Sequence, residues 1–327
     1  MHSWILPEYI EDILPPEAET IERLRRTLLD HFRDHGFRLV QPPLIEHLDS
    51  LLTGTGHDLE LQTFKVIDPL SGRLLGVRAD ITPQVARIDA HLLNEPGITR
   101  LCYAGSVLRT VVAGLAQTRE VLQIGAELYG DPQIDADREV LMLLLSSLAA
   151  VGVRGLHLDL GHVGVYRALA NGAHIAGNAS DSAMFAALRG KDVPAVAELA
   201  ASLPAVWRDA FAALPTLYGP ADEVLAAARR RLPDTPSIAL ALSALETLAQ
   251  AGGPEVAALH IDLADLRGYH YQTGASFSVF TEGEANAIGR GERYDGIGKA
   301  FGRARPATGF TLDLRQLAAL SGVAGQN

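Results

Sequence analysis

The run Glu120-Val-Leu-Gln-Ile-Gly-Ala-Glu-Leu-Tyr129 is the part of this sequence that most suggests a ligand site. In a strand, successive side chains point to opposite faces, so Val121, Gln123, Gly125 and Glu127 share one side. A polar-glycine-polar stripe inside an apolar strand is costly to bury unless something satisfies it. A ligand lying over bare Gly125, bonded by Gln123 and Glu127, would do so; a solvent-facing strand would explain the same pattern. A second group, Val77-Arg-Ala-Asp-Ile-Thr-Pro-Gln-Val-Ala-Arg87, places Asp80 and Thr82 at a strand-to-helix junction. Thr82-Pro83 is a good helix start, with the hydroxyl as cap and proline at the first helical position. Capping alone would leave Arg78, Asp80 and Arg87 as ordinary surface charges. The third group joins Arg267-Gly-Tyr-His-Tyr-Gln-Thr-Gly274 to Gly291-Glu-Arg-Tyr-Asp-Gly296. Arginine can grip a carboxylate with two hydrogen bonds, and tyrosine can stack on and bond a heteroaromatic ring. Tyrosine-rich strands with glycines also occur at plain sheet edges.

Other chemistries find less support. Gly296-Ile-Gly-Lys299 lacks the hydroxyl residue after lysine and the upstream spacing of a phosphate-binding loop. His31 and His35 lie four apart on a helix but have no third ligand, so no metal site is expected. His157 and His162 flank a strand end without the partners of nucleophilic catalysis. One cysteine, Cys102, excludes a disulfide framework and suits a reducing cytosol. A formal net charge of −11 gives no electrostatic footprint for nucleic acid. The longest apolar stretches are too short to span a bilayer, and the acidic, proline-bearing N-terminus shows no signal peptide.

The elements that must position these residues follow from periodicity. Ile21, Leu24, Leu28 and Phe32 mark one face of a helix that Gly36 closes. Phe37 to Val40 is a short strand, and two strand-like runs, Thr63 to Ile67 and Leu74 to Arg78, flank the turn 68–72. Extended runs at 101–109 and 120–129 precede a helix opening at Asp135 and a strand at 156–160. From about 163 to 253, alanine and leucine dominate between prolines, with no strand pattern, which indicates inserted short helices. Strands return at 257–263 and 274–281. A glycine-rich segment, 289–302, precedes a last strand near 308–312. The expected class is α+β, an antiparallel sheet flanked by helices with a helical insertion. The expected division is a core in two parts, 1–162 and 256–327, around the insertion 163–255.

In order and type, these segments resemble the catalytic core of class II aminoacyl-tRNA synthetases, specifically histidyl-tRNA synthetase. The Arg267–Gly274 run is similar to that family's histidine-recognition sequence Arg-Gly-Leu-Asp-Tyr-Tyr-Thr-Gly. Gln123-Ile-Gly-Ala-Glu127 matches the end of its second motif, and Arg293-Tyr-Asp-Gly296 with Pro306-Ala-Thr-Gly-Phe310 the approach to its third. The resemblance implies a histidine pocket. Asp80 (glutamate in the synthetase), Thr82 and Gln123 would hold the ammonium, Glu127 and Tyr271 would address the imidazole, and Arg267 the carboxylate. Tyr294 would line the pocket, and Arg109 is counted with the set.

The departures point away from tRNA charging. After Arg109, Thr110-Val111 replaces the family's His-Glu pair, and Val112-Ala-Gly-Leu-Ala-Gln117 carries no charge. The third motif has Gln316 where the arginine over the ATP phosphates belongs, with Arg315 one residue earlier. One helical residue turns a side chain by about 100°, and losing one such electrostatic contact costs roughly a hundredfold or more in rate. The chain ends soon after, so no anticodon-binding domain is expected. A synthetase core without adenylation chemistry resembles the regulatory subunits of short-form ATP phosphoribosyltransferases. Asp12-Ile-Leu-Pro-Pro-Glu-Ala18, Gln41-Pro-Pro-Leu-Ile-Glu46 and Thr63-Phe-Lys65 fit that group closely. What it implies is a non-catalytic, cofactor-free, cytoplasmic subunit that forms homodimers within a hetero-octamer. Its partner is the catalytic chain that joins ATP to phosphoribosyl pyrophosphate, and its ligand is the feedback effector histidine. The rivals are a ligase that activates histidine for another acceptor and a scaffold with a relic pocket.

Overall fold

Alternation along the strands decides the architecture, because it gives one long sheet an apolar face and a polar one. The computed structural model describes residues 5–54, 57–112, 118–268 and 271–323. Its strands are β1 (Arg38–Leu39), β2 (Ile45–His47), β3 (Phe64–Ile67), β4 (Leu74–Val77), β5 (Thr99–Leu108) and β6 (Glu120–Tyr129). They continue with β7 (Leu156–His162), β8 (Tyr218–Pro220), β9 (Val256–Asp262), β10 (Ala275–Phe280), β11 (Gly289–Arg293) and β12 (Ala307–Asp313). Nine of them form a sheet in the order β1-β5-β6-β12-β11-β10-β7-β9-β8. Pairing is antiparallel except for β1 with β5 and β7 with β9. The class is α+β, as expected.

Ile124, Ala126, Leu128, Phe277, Val279, Phe310 and Leu312 project from the apolar face into the main core. The helices Glu17–Asp34 and Ile134–Ala150 contribute to that core, the first with Ile21, Leu24, Leu28 and Phe32. Strand register places Gln123, Gly125 and Glu127 of β6 beside Asp313, Thr311 and Gly309 of β12 on the other face. Across β12 lie Arg290 and Glu292 of β11. The polar face is where a ligand could sit.

Several elements differ from the sequence expectation. A separate three-stranded sheet, β2-β4-β3, includes β2, which its short proline-flanked sequence conceals. The glycine-rich segment contains β11, whose Gly289 and Gly291 pack so closely on Leu144, Leu312 and Phe277 that no Cβ would fit. The stretch 163–253 is mostly helical, with helices Val163–Gly172, Ala179–Arg189, Val193–Ala200, Ala205–Ala213, Ala221–Arg231 and Pro236–Ala249. It also holds β8, a Tyr-Gly-Pro strand at the sheet edge, where a missing proline N–H costs little. Leu169, Leu188, Phe211 and Leu245 from these helices join the same core as the sheet. Among the described residues, no helix is long and apolar enough to cross a membrane.

Candidate functional site

Glu127 organises the polar face. Its carboxylate is 1% exposed and accepts hydrogen bonds from three hydroxyls, those of Thr82 (3.0 Å), Tyr103 (3.2 Å) and Tyr294. Gly309 on β12 makes the space: a Cβ there would collide with the carboxylate. Gly125 likewise lets Tyr103 approach, its hydroxyl lying 2.5 Å from where a Cβ would be. No cation faces Glu127 in an ion pair among the described residues. Burial therefore pushes its pKa up to about 8, against the lowering effect of the hydroxyls, and nearby Asp80 adds to the rise. A solvent-facing strand surface, the alternative allowed by sequence, does not describe this buried stripe.

Asp80, Thr82 and Gln123 come together beside it. Gln123 is 2% exposed; its amide donates to Asp80 Oδ1 (2.8 Å) while its Oε1 accepts from the Ile81 N–H (3.0 Å). Asp80 Oδ1 also accepts from the Thr82 N–H at 3.1 Å. Thr82 is not the helix cap that its sequence context suggests. The helix Thr82–Arg87 has Ile81 at its N-cap without a side-chain cap. The Thr82 hydroxyl goes instead to Glu127, where a buried carboxylate is a stronger acceptor. Nor are Arg78 and Arg87 plain surface charges. Arg78 donates to Ser106 O and Pro42 O (both 2.8 Å), in space left by Gly105, and Arg87 pairs with Glu46.

The two glycine-bearing runs are tied together as their joint appearance in sequence suggests. Thr273 N–H donates to Arg293 O (2.8 Å), and Asp295 N–H donates to Thr273 Oγ1 (2.9 Å). Arg293 is locked beneath the sheet by Asp137, with contacts of 2.9 and 2.7 Å, which fixes Tyr294 over Glu127. Tyr269 and His270 of the first run lie outside the described residues. Arg267 holds Asp265 through two bonds, 2.8 and 2.6 Å, and keeps 52% of its side chain exposed. Tyr271 does not reach Glu127; its hydroxyl meets Glu292, and desolvation followed by that charge raises its pKa. Glu292 also accepts from the Gln272 amide. Burial and then Asp80 push Glu292 up to about 7, with the Gln272 and Tyr271 bonds opposing.

Further along the same face is a cavity of about 800 Å³, lined by Glu11, Arg109, Gln123, Arg290, Asp313 and Arg315 among others. Among the described residues, Arg315 is the lining arginine with carboxylate partners. Arg315 pairs with Glu11 at 3.0 Å and approaches Glu120 at 3.8 Å. Arg109 donates to Ala79 O at 3.2 Å, and Gln316 reaches Glu284 at 3.4 Å. Val111 is exposed, whereas 113–117 of the uncharged loop lie outside the described residues. His162 caps a helix, its Nδ1 accepting from Gly164 N–H (3.0 Å), and burial lowers its pKa to about 4. His31 meets Ser146 at 2.9 Å. No group of three potential metal ligands occurs among the described residues.

The histidyl-tRNA synthetase family model matches residues 9–317. The ATP phosphoribosyltransferase regulatory subunit of Thiobacillus denitrificans is 59% identical over 97% of this chain and 98% of its own length. The subunit of that name from Ralstonia nicotianae is 58% identical over 99% of this chain and 83% of its own. The chain belongs to this family of ATP phosphoribosyltransferase regulatory subunits. A solved Bacillus halodurans C structure, described as an ATP phosphoribosyltransferase regulatory subunit/histidyl-tRNA synthetase, is 25% identical with a TM-score of 0.84. It matches over 97% of this chain and 83% of that one. The class II synthetase fold of the regulatory-subunit family is therefore the fold of this chain.

On the polar face of this family member, Tyr103 and Arg290 escape a reading of the sequence, and Glu292 enters it only as part of the Gly291–Gly296 run, without a role of its own. Tyr103 sits in a strand whose alternation could have placed it on the polar face with Gly105. Glu292 is hidden in a glycine run that does not look like a strand, and only register places it on the same face as Glu127, across Gly309.

Proposed function

We propose that this chain is the non-catalytic regulatory subunit of a cytoplasmic ATP phosphoribosyltransferase complex, required for the first step of histidine biosynthesis and for its feedback control by histidine. In this reading the polar face binds histidine. Asp80, Thr82 and Gln123 serve the ammonium, Glu127 and Tyr271 the imidazole, and Arg267 the carboxylate, with Tyr294 as a wall and Arg109 at the margin. The observation that carries it is Glu127, a buried acid surrounded by hydroxyls and without a cation of its own. Such a group is a ready partner for an imidazole N–H or a positive charge. Arg267 would turn from Asp265 toward the ligand carboxylate. The synthetase reaction is absent in this reading, since Arg315 is spent on Glu11 and position 316 is glutamine. Homodimers of the chain would join the catalytic subunit in a hetero-octamer, with 163–255 as an inserted helical unit.

The test is co-purification with the catalytic chain, followed by phosphoribosyl-transfer assays of the complex with added histidine. The complex should form and be inhibited by histidine, and Glu127→Ala or Arg267→Ala in this subunit should blunt the inhibition. Inhibition equal to wild type in both variants would make the pocket a relic. Histidine-dependent exchange of pyrophosphate into ATP by the pure chain would overturn the non-catalytic reading.

A further inference from the structure

An ammonium group donates three hydrogen bonds and needs acceptors once it leaves water. The residues assigned to it so far supply few. Gln123 Oε1 already accepts from Ile81 N–H, and the Thr82 hydroxyl is directed at Glu127. Asp80 Oδ1 already takes two donors. On β11, however, Glu292 is two residues from Arg290 on the pocket side of the sheet, and only Gly309 separates it from Glu127 in the register. Neighbouring strands are about 4.8 Å apart, so the two glutamates stand on either side of a floor without a side chain.

Glu292 forms no ion pair among the described residues; Gln272 and Tyr271 are its hydrogen-bond donors. Beside it, Gln272 is 4% exposed, and its Oε1 is buried with no hydrogen-bond partner among the described residues. A buried, unpaired acceptor costs stability until a donor reaches it. Asp80 lies close enough to repel the Glu292 charge. Two acids and an orphaned carbonyl oxygen thus converge, with Arg290 acting on Glu292 from two residues away but forming no ion pair with it among the described residues.

We propose that Glu292 is a recognition residue of the pocket and that, with Asp80 and Gln272 Oε1, it receives the ammonium of the amino-acid ligand. The inference rests on the histidine reading above and adds to it the residue that distinguishes an amino acid from its deaminated analogue. Tyr271 and Gln272 hold the carboxylate in place while the pocket is empty.

The full-length chain is titrated calorimetrically with L-histidine and with 3-(imidazol-4-yl)propionate, which lacks the ammonium. Wild type should prefer histidine. Glu292→Gln keeps the shape and the hydrogen-bonding capacity but removes the charge. It should cut the preference by about ten- to a hundredfold, with the analogue's affinity changed by less than about twofold. Glu292→Asp should recover part of the preference, which a merely misfolded variant would not. An unchanged ratio, or an equal loss of both ligands, overturns the role of Glu292 while leaving the histidine pocket standing. A wild-type chain that binds neither ligand overturns the pocket reading itself.

Discussion

The two ends of the polar face bury charge in opposite ways. At one end Glu127 and Glu292 are acids whose partners are hydroxyls and an amide. At the other, Arg315 is a cation that the protein neutralises with its own Glu11. A buried charge without a counterion is costly, so a cationic guest would stabilise the first end, whereas Arg315 at the second has its counterion already. On the reading proposed above, the same sheet would keep an amino-acid pocket at one end while Arg315 is held by Glu11 at the other.

The sharpest way to break this contrast is to remove its acid. Glu127→Ala strips three hydroxyls of their acceptor and should weaken histidine binding by about a hundredfold or more, as calorimetry can measure. Binding within a factor of three of wild type would move the ligand elsewhere. Gly309→Ala attacks the same group indirectly. The added methyl must displace the Glu127 carboxylate, at a cost of about 1–3 kcal/mol in unfolding free energy by urea denaturation, together with lost histidine affinity.

Proton linkage sharpens the contrast further. An acid with a raised folded pKa keeps its proton in the fold at pH values where the unfolded chain has released it. The stability this confers is present below the ordinary value of 4.5 and is lost as pH rises toward about 8. Between pH 5 and 8, the histidine-free wild type should therefore lose more melting temperature than Glu127→Gln does. Equal slopes would show that Glu127 is already ionised in the empty pocket.

The smallest effect is expected at the opposite end. Gln316→Arg restores a guanidinium at the third-motif position, yet it would face Glu284, which Gln316 already reaches at 3.4 Å. Histidine-dependent pyrophosphate exchange should stay at background. Appreciable exchange would mean that a single charge separates this face from ligase chemistry.

The long elements were legible because their periodicity is strong. The helix of Ile21, Leu24, Leu28 and Phe32 and the polar stripe of β6 both stand where their patterns place them. Strands β8 and β11 were not legible, because Gly and Pro are poor strand formers and only tertiary packing supplies the reason for them. In the site, Gln123, Glu127 and Asp80 could be suspected from one segment each. Glu292 belongs to a candidate run, but its relation to Glu127 is not legible there, since it runs through Gly309 on a third strand. Thr82 shows the limit of local rules: its capping context was plain, but a buried carboxylate 45 residues away claims the hydroxyl.

Coupling between pocket and partner is the claim on which the regulatory role stands, and affinity measures it directly. Histidine is titrated into the chain alone and into its complex with the catalytic subunit. Linkage requires the two dissociation constants to differ, by a factor in the range of about 5–150 for typical allosteric coupling. Identical constants would mean that the occupied pocket sends nothing across the interface.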